Sequence, residues 1–344
     1  MYRKSVKISI IIVYLVILAG AIVRMTGSGM GCPDWPKCFG YYIPPTEAAD
    51  LSWEAGMEYF KGQVISYKEQ LLVANDHFKS DNEFKEANWK TYDEHDFVEI
   101  NVTKTWVEYI NRLLGALAGL SLLIMTVLSI FQRKIDKRLT IFSLISLVLI
   151  GFQAWLGATV VYSVLAPVRI TLHMLVAFII LGVLLYLYRL ASQNKKTKSI
   201  TTKRFHIFVV AALGITLLQV ILGTQVRQFV DDQLTKGGIT KANVLTDPEV
   251  TFYIHRSFSI LIFLVNAGIW WLNRKNNLGF SMPNWIVGII SLEIITGIIM
   301  YYFAFPFSTQ ALHLIFAALL FGFQFYLILT SSAADKENIT LKLT

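Results

Sequence analysis

Apolar runs of membrane-spanning length, separated by short polar connectors, recur along the whole chain. Windows bounded by charge predict eight helices, near 8–25, 106–131, 139–160, 168–188, 205–227, 252–273, 282–304 and 308–330. Each comes close to the roughly 20 residues that a spanning helix needs. Arg3, Lys4 and Lys7 precede the first run, as they would in a signal peptide. That run has a counterpart later in the chain, however, and a cleaved segment would not be half of a repeat.

The counterparts fall in one order. Gly20-x-x-Val23-Arg24 closes the first run and Gly223-x-x-Val226-Arg227 the fifth. Tyr109-Ile110-Asn111-Arg112 opens the second run, and Tyr253-Ile254-His255-Arg256 opens the sixth at an offset of 144 (255 − 111). Leu156-Gly157 answers to Thr296-Gly297, and Thr171-Leu172-His173-Met174 to Ala311-Leu312-His313-Leu314, both at an offset of 140 (313 − 173). These anchors predict a four-plus-four duplication. The expected fold is an all-α polytopic membrane protein of eight transmembrane helices. They form two parallel four-helix bundles, related by a pseudo-two-fold axis along the membrane normal. An N-terminal half, 1–191, contains an extended outer loop, 26–105. A basic linker, 192–204, leads to a C-terminal half, 205–330, and a tail, 331–344.

Composition supports the membrane reading: 55% of the 344 residues are hydrophobic, 16% are charged, and the mean hydropathy is +0.53. The net charge of +8 lies in short connectors and forms no continuous stripe, which excludes nucleic acid as a partner. Positive-inside bias puts the connectors at 133–138, 189–204 and 274–275 in the cytoplasm, with both termini. The cysteine loop and 161–167, 228–251 and 304–308 are then outside an inner (plasma) membrane. Segment 41–105 holds 13 of the 23 acidic residues against 6 lysines, in keeping with an outer location. Its Trp53, Tyr59, Phe60, Tyr67 and Trp89 have helix-compatible spacing, and Thr46 suits a cap for a helix beginning at Glu47. A small helical cap is expected there, a solvated loop being the alternative.

Asn111, His173, His255 and His313 come out at the outer ends of inward-running helices. His255 and His313 open neighbouring spans at one depth. A bis-histidine haem needs two such ligands and an apolar slot, whereas zinc wants a third and fourth ligand and none is obvious nearby. Arg24, Arg112, Arg169, Arg227 and Arg256 lie at the same boundary against the charge trend, suited to clamping haem propionates. Glu108 shares a helical face with Asn111. Its counterpart is Phe252, so the acid belongs to one half and implies unequal roles; a plain ion pair with Arg112 is the alternative. Glu293 sits mid-span opposite Gln153 as its repeat partner, and its role is open between function and an interhelical hydrogen bond. Cys32 and Cys38 suit a disulfide, a metal half-site or a redox couple; an outside location favours the disulfide, structural or electron-exchanging.

At these residues the chain resembles the heme A synthase family, across all eight spans. The shared motifs are Gly-Ser-Gly-x-x-Cys-Pro-Asp-Trp-Pro-x-Cys at 27–38, Glu-Tyr-Ile-x-Arg at 108–112, and the histidines at 173, 255 and 313. The resemblance implies oxidation of the C8 methyl group of heme O to a formyl group, giving heme A for cytochrome oxidase. It implies a resident heme b on His255 and His313, with Arg227 and Arg256 beside it. The N-terminal half would be the substrate site, where Glu108 matches the family's essential glutamate and His173 a substrate-iron ligand, with Asn111 and Arg112 adjoining. Cys32 and Cys38 match a pair proposed to act in redox or in stabilising the outer loop. The heme O-forming farnesyltransferase and oxidase assembly factors are implied partners, and a homo-oligomer is compatible. The electron acceptor is not implied. Asn111 departs from the pattern, standing where the family has a histidine. Either substrate iron keeps an open position beside His173, or His77 or His95 folds over the site. A b-type cytochrome in quinone-linked electron transfer would want two complete histidine pairs, and a haem transporter would not require Glu108.

Overall fold

Long apolar runs with few charges leave a chain in lipid one local solution, the helix, because every backbone amide must be satisfied internally. In a computed structural model of the chain these runs form eight helices among the described residues. They are α1 (Tyr2–Met25), α2 (Val102–Ile130), α3 (Lys137–Tyr162), α4 (Pro167–Leu190), α5 (Lys203–Thr235), α6 (Val250–Lys275), α7 (Met282–Tyr302) and α8 (Thr309–Leu343). All eight are long and apolar enough to cross a membrane, which makes this a multi-pass membrane protein. The structure describes all residues except 48, 95–100, 193–201, 236–238, 307 and 344, and describes only the backbone of 235 and 332–343.

Local chemistry marks several helix starts. The Asn101 side chain accepts from the Lys104 amide at α2, Asp136 accepts from the Arg138 amide at α3, and Pro167 opens α4. Helices α1 to α4 each pack on the next, and α4 returns to α1; α5 to α8 do the same. The two rings meet where α8 lies along α1 and α4, whereas α4 touches α5 sparsely. Leu122, Leu181 and Leu184 are fully buried in the first ring. In the second, Gln324 donates to Thr216 Oγ1 and Asn266 Oδ1, both at 3.0 Å. Such polar cross-links add to van der Waals packing where the lipid itself supplies no hydrophobic drive.

Three boundaries differ from the sequence expectation. Helix α1 starts at Tyr2, because Arg3, Lys4 and Lys7 continue the helix rather than precede it, and the Tyr2 hydroxyl lies 2.7 Å from Ser143 Oγ. Helix α5 runs past 227 to Thr235, where Gln228 and Asp232 support the extra turns with a 2.7 Å side-chain bond. The backbone of α8 stays helical past 330, so most of the expected tail continues that helix. The expected linker lies mostly outside the described residues.

The segment between α1 and α2 corrects the expectation of a helical cap. It folds as short antiparallel strands: β1 (Glu58–Tyr59), β2 (Val64–Tyr67), β3 (Gln70–Ala74), β4 (Phe78–Lys79) and β5 (Trp89–Thr91). The sheets are β1–β4 and β2–β3–β5. Where a helix from Glu47 is expected, the described residues form a single 3-10 turn, Ala49–Leu51. The β-branched, alternating stretch Val64-Ile65-Ser66-Tyr67 favours a strand. Lys68 and Glu69, at φ +50° and +62°, close a two-residue hairpin whose twist matches the flanking strands. Val64 and Leu71 pack on Cys32, Cys38 and Phe39, so the sheet rests on the cysteine loop.

Candidate functional site

The N-terminal part of α2 is built around two side chains one helical turn apart. Glu108 Oε1 accepts from Arg112 Nη2 at 2.6 Å, and Glu108 Oε2 accepts from the Cys32 amide at 2.8 Å. The same guanidinium donates to the carbonyls of Asp34 (2.6 Å), Lys37 (2.7 Å) and Cys32 (3.1 Å). Thr105 adds a 2.7 Å bond to the Gly31 carbonyl. Cys32 and Cys38 form a disulfide, and Asp34 closes the loop by accepting from the amides of Phe39 (2.5 Å) and Gly40 (2.8 Å). Burial pushes the Asp34 carboxyl above its ordinary value, against the opposing pull of those amides and of Arg112. The disulfide loop is thereby seated directly on Glu108.

Each of the four ligand-candidate positions faces a glycine on the preceding helix. A Cβ on Gly20 would meet Asn111 Oδ1 at 3.9 Å, and one on Gly297 would meet His313 Cε1 at 3.9 Å. The fit is closer at the other two. A Cβ on Gly157 would come within 3.2 Å of His173 Cε1, and one on Gly223 within 3.0 Å of His255 Cε1. A side chain at either position would displace the imidazole. The rings of His255 and His313 stand together, with centroids 6.4 Å apart and planes at 67°.

One turn before three of these glycines stands a polar side chain that reaches the same histidine-bearing helix. Gln153 donates to the His173 carbonyl and Gln219 to the His255 carbonyl, each at 2.9 Å. Glu293 instead takes the ring: its Oε2 lies 2.8 Å from His313 Nδ1, and Thr296 Oγ1 lies 2.9 Å from the same nitrogen. Buried polar atoms without a hydrogen-bond partner gather at these positions, among them Asn111 Oδ1, His173 Nδ1 and His255 Nδ1. No cluster of three or more His, Cys, Asp or Glu is assembled among the described residues.

Residues 3–325 match the COX15-CtaA family, described as a cytochrome oxidase assembly protein. The chain belongs to this family. A heme A synthase of Shewanella oneidensis is 28% identical over 237 residues, 69% of this chain and 56% of that protein, so the chain spans little more than half of that relative. The heme A synthase of Ehrlichia canis is 24% identical over 92% of the chain and 89% of its own length. That of Ruegeria pomeroyi is 25% identical over 92% and 84%.

In this COX15-CtaA member the five outer arginines do not act alike. Arg112 is fully engaged by the disulfide loop. Arg24 and Arg227, from α1 and α5, converge on Asp231, at 3.4 and 2.6 Å. Arg169 donates to the Thr159 carbonyl at 2.7 Å. Arg256 is the one whose guanidinium meets aromatic rings, those of Phe252 and Tyr253. The five expected propionate clamps are therefore not equivalent: backbone carbonyls and two carboxylates, Glu108 and Asp231, already engage four of them. Asp231 was missed because it falls in what reads as a loop. Of the histidines expected to fold over the site, His77 sits on the sheet, 3.0 Å from Glu58 and against the Phe60 ring, and His95 lies outside the described residues.

Proposed function

We propose that the chain is a heme A synthase, oxidising the C8 methyl of heme O to a formyl group, with α1–α4 forming the substrate site and α5–α8 holding a resident heme b. The observation that carries this reading is the His255–His313 pair. Two axial imidazoles with metal–nitrogen bonds of about 2 Å have centroids about 6 Å apart, and the rings stand at 6.4 Å. The residues present fit a bis-histidine haem, which supplies one-electron redox chemistry when bound. His255 and His313 would hold it, Gly223 and Gly297 leave room for the rings, and Arg256 is the cation least committed to other partners.

The glycine contacts also support the duplication. Gly20 and Gly223, like Gly157 and Gly297, meet the side chains that the repeat offsets pair with them. On this reading the halves are 1–191 and 205–330, and the orientation with the disulfide loop outside an inner membrane rests on the positive-inside bias of the connectors.

In the substrate half the chain's own groups have distinct tasks. Glu108, held by two donors under the disulfide loop, is the acid–base candidate. His173 offers a ring nitrogen to the substrate iron from across Gly157. Asn111 is a poor iron ligand, and its unpartnered Oδ1 marks the place where the second ligand is missing. An open position at the substrate iron follows. Arg112 acts at one remove, holding the loop that holds Glu108. The heme O-forming farnesyltransferase and the oxidase assembly machinery are the partners this reading implies.

Co-expression with a heme O-producing enzyme, followed by pigment extraction, tests it. Accumulation of heme A, lowered about 100-fold by Glu108→Ala, is the expected result. Heme B as the sole pigment, unaffected by Glu108→Ala, would return the chain to the b-type cytochromes or haem transporters.

A further inference from the structure

The three site histidines differ in what their second ring nitrogen meets. His173 Nδ1 and His255 Nδ1 are buried without a hydrogen-bond partner, whereas His313 Nδ1 lies against Glu293 Oε2 and Thr296 Oγ1. The single Thr296 hydroxyl proton is within reach of two carbonyls, those of Leu292 (3.0 Å) and Glu293 (2.9 Å), which leaves its oxygen to accept. With Nε2 as the iron ligand, Nδ1 of His313 carries the ring proton, and the Glu293 carboxyl group 2.8 Å away accepts it. The other carboxylate oxygen, Glu293 Oε1, is buried with no partner. No cation contacts the Glu293 carboxyl group among the described residues, and the imidazole of His313 is its side-chain partner. The corresponding place in the first four helices holds Gln153, which bonds the His173 backbone instead of the ring, and Leu156 replaces Thr296.

We propose that Glu293 is a positioning residue that lowers the reduction potential of the heme b held by His313. A hydrogen bond from a ligand's outer nitrogen to a carboxylate fixes the ring's tautomer and makes the ligating nitrogen more basic. An electron-rich axial ligand stabilises the ferric state over the ferrous one, and outer hydrogen bonding is one of the protein's levers on haem potential. His255, with a bare Nδ1, supplies no such push. The tuning is therefore one-sided within the pair and absent from His173, so it separates the resident haem from the substrate haem electronically. This inference rests on the reading that His255 and His313 hold the haem.

Spectroelectrochemical titration of the purified, haem-loaded full chain tests it. Glu293→Gln keeps an acceptor near Nδ1 but removes the charge. It should shift the ferric–ferrous equilibrium about tenfold toward ferrous, a rise of about 59 mV for a one-electron couple, with haem content and low-spin spectrum retained. Thr296→Val should shift it far less. An unchanged potential in haem-replete Glu293→Gln overturns the proposal. Should that variant lose haem, Glu293→Asp carries the test: its shortened carboxylate should raise the potential part-way, and a wild-type value there overturns the proposal equally. Haem content of His313→Ala keeps the two readings apart. Haem retained in that variant removes the ligand assignment itself. Haem lost there, with Glu293→Gln at wild-type potential, removes only the tuning role.

Discussion

In the N-terminal part of α2, Glu108 and Arg112 are joined to each other and to a disulfide-closed loop. In the N-terminal part of α6, Phe252 and Arg256 occupy the corresponding sequence positions, and ring and guanidinium stack. One helix end is closed over by a covalent loop with a carboxylate beneath it. The other keeps an arginine that meets no carboxylate among the described residues and, behind it, two histidines with ring centroids 6.4 Å apart. On the proposed reading, one backbone plan with different side chains at a few positions serves chemistry on a visiting substrate at one end and a permanent cofactor at the other.

That contrast breaks most visibly through the ligands. His313→Ala should abolish heme b binding, measured as haem per protein in the purified chain, while the Cys32–Cys38 bond, assayed by thiol labelling, survives. Loss of both together would show that the two ends are not separable. Next in size is Glu108→Ala, expected to lower heme A formation about 100-fold, the usual scale of a lost acid–base group, with heme b content unchanged. A fall in heme b alongside heme A would move Glu108 out of the substrate site. The glycines sharpen the comparison further. Gly223→Ala puts a methyl 3.0 Å from His255 and should weaken heme b retention by up to about 3 kcal/mol, as overpacking does. Gly157→Ala, at 3.2 Å from His173, should leave heme b in place and reduce heme A formation instead. Smallest is Cys32→Ser. Opening so short a loop should cost about 2 kcal/mol, read as a lower thermal midpoint of the purified chain with unaltered heme b spectra.

Much of this was legible in the sequence for a physical reason. Membrane spans announce themselves by composition, and equivalent depths follow from repeat offsets, so Asn111, His173, His255 and His313 could be placed before any coordinates. Glu108 could be singled out because Phe252 stands at its counterpart. What escaped depends on tertiary contacts that carry no local signal. The Glu293–His313 bond joins residues 20 apart on two helices (313 − 293). Asp231 gathers two arginines 203 residues apart (227 − 24). The β-cap was legible in part: Val64-Ile65-Ser66-Tyr67 alternates as a strand should, but the helical spacing of Trp53, Tyr59 and Trp89 outweighed it. Lys-Glu is an uncommon choice for a turn that needs two residues at positive φ.

Gly20 gives the arrangement at Asn111 a history. It still faces residue 111, as Gly223 faces His255, although the imidazole such a gap would accommodate is not there. On the proposed duplication, an ancestral pocket outlasted the ligand it was shaped for. Asparagine and histidine codons differ by a single base, so on that reading one mutation separates a ligand at position 111 from a residue that leaves the proposed substrate iron open.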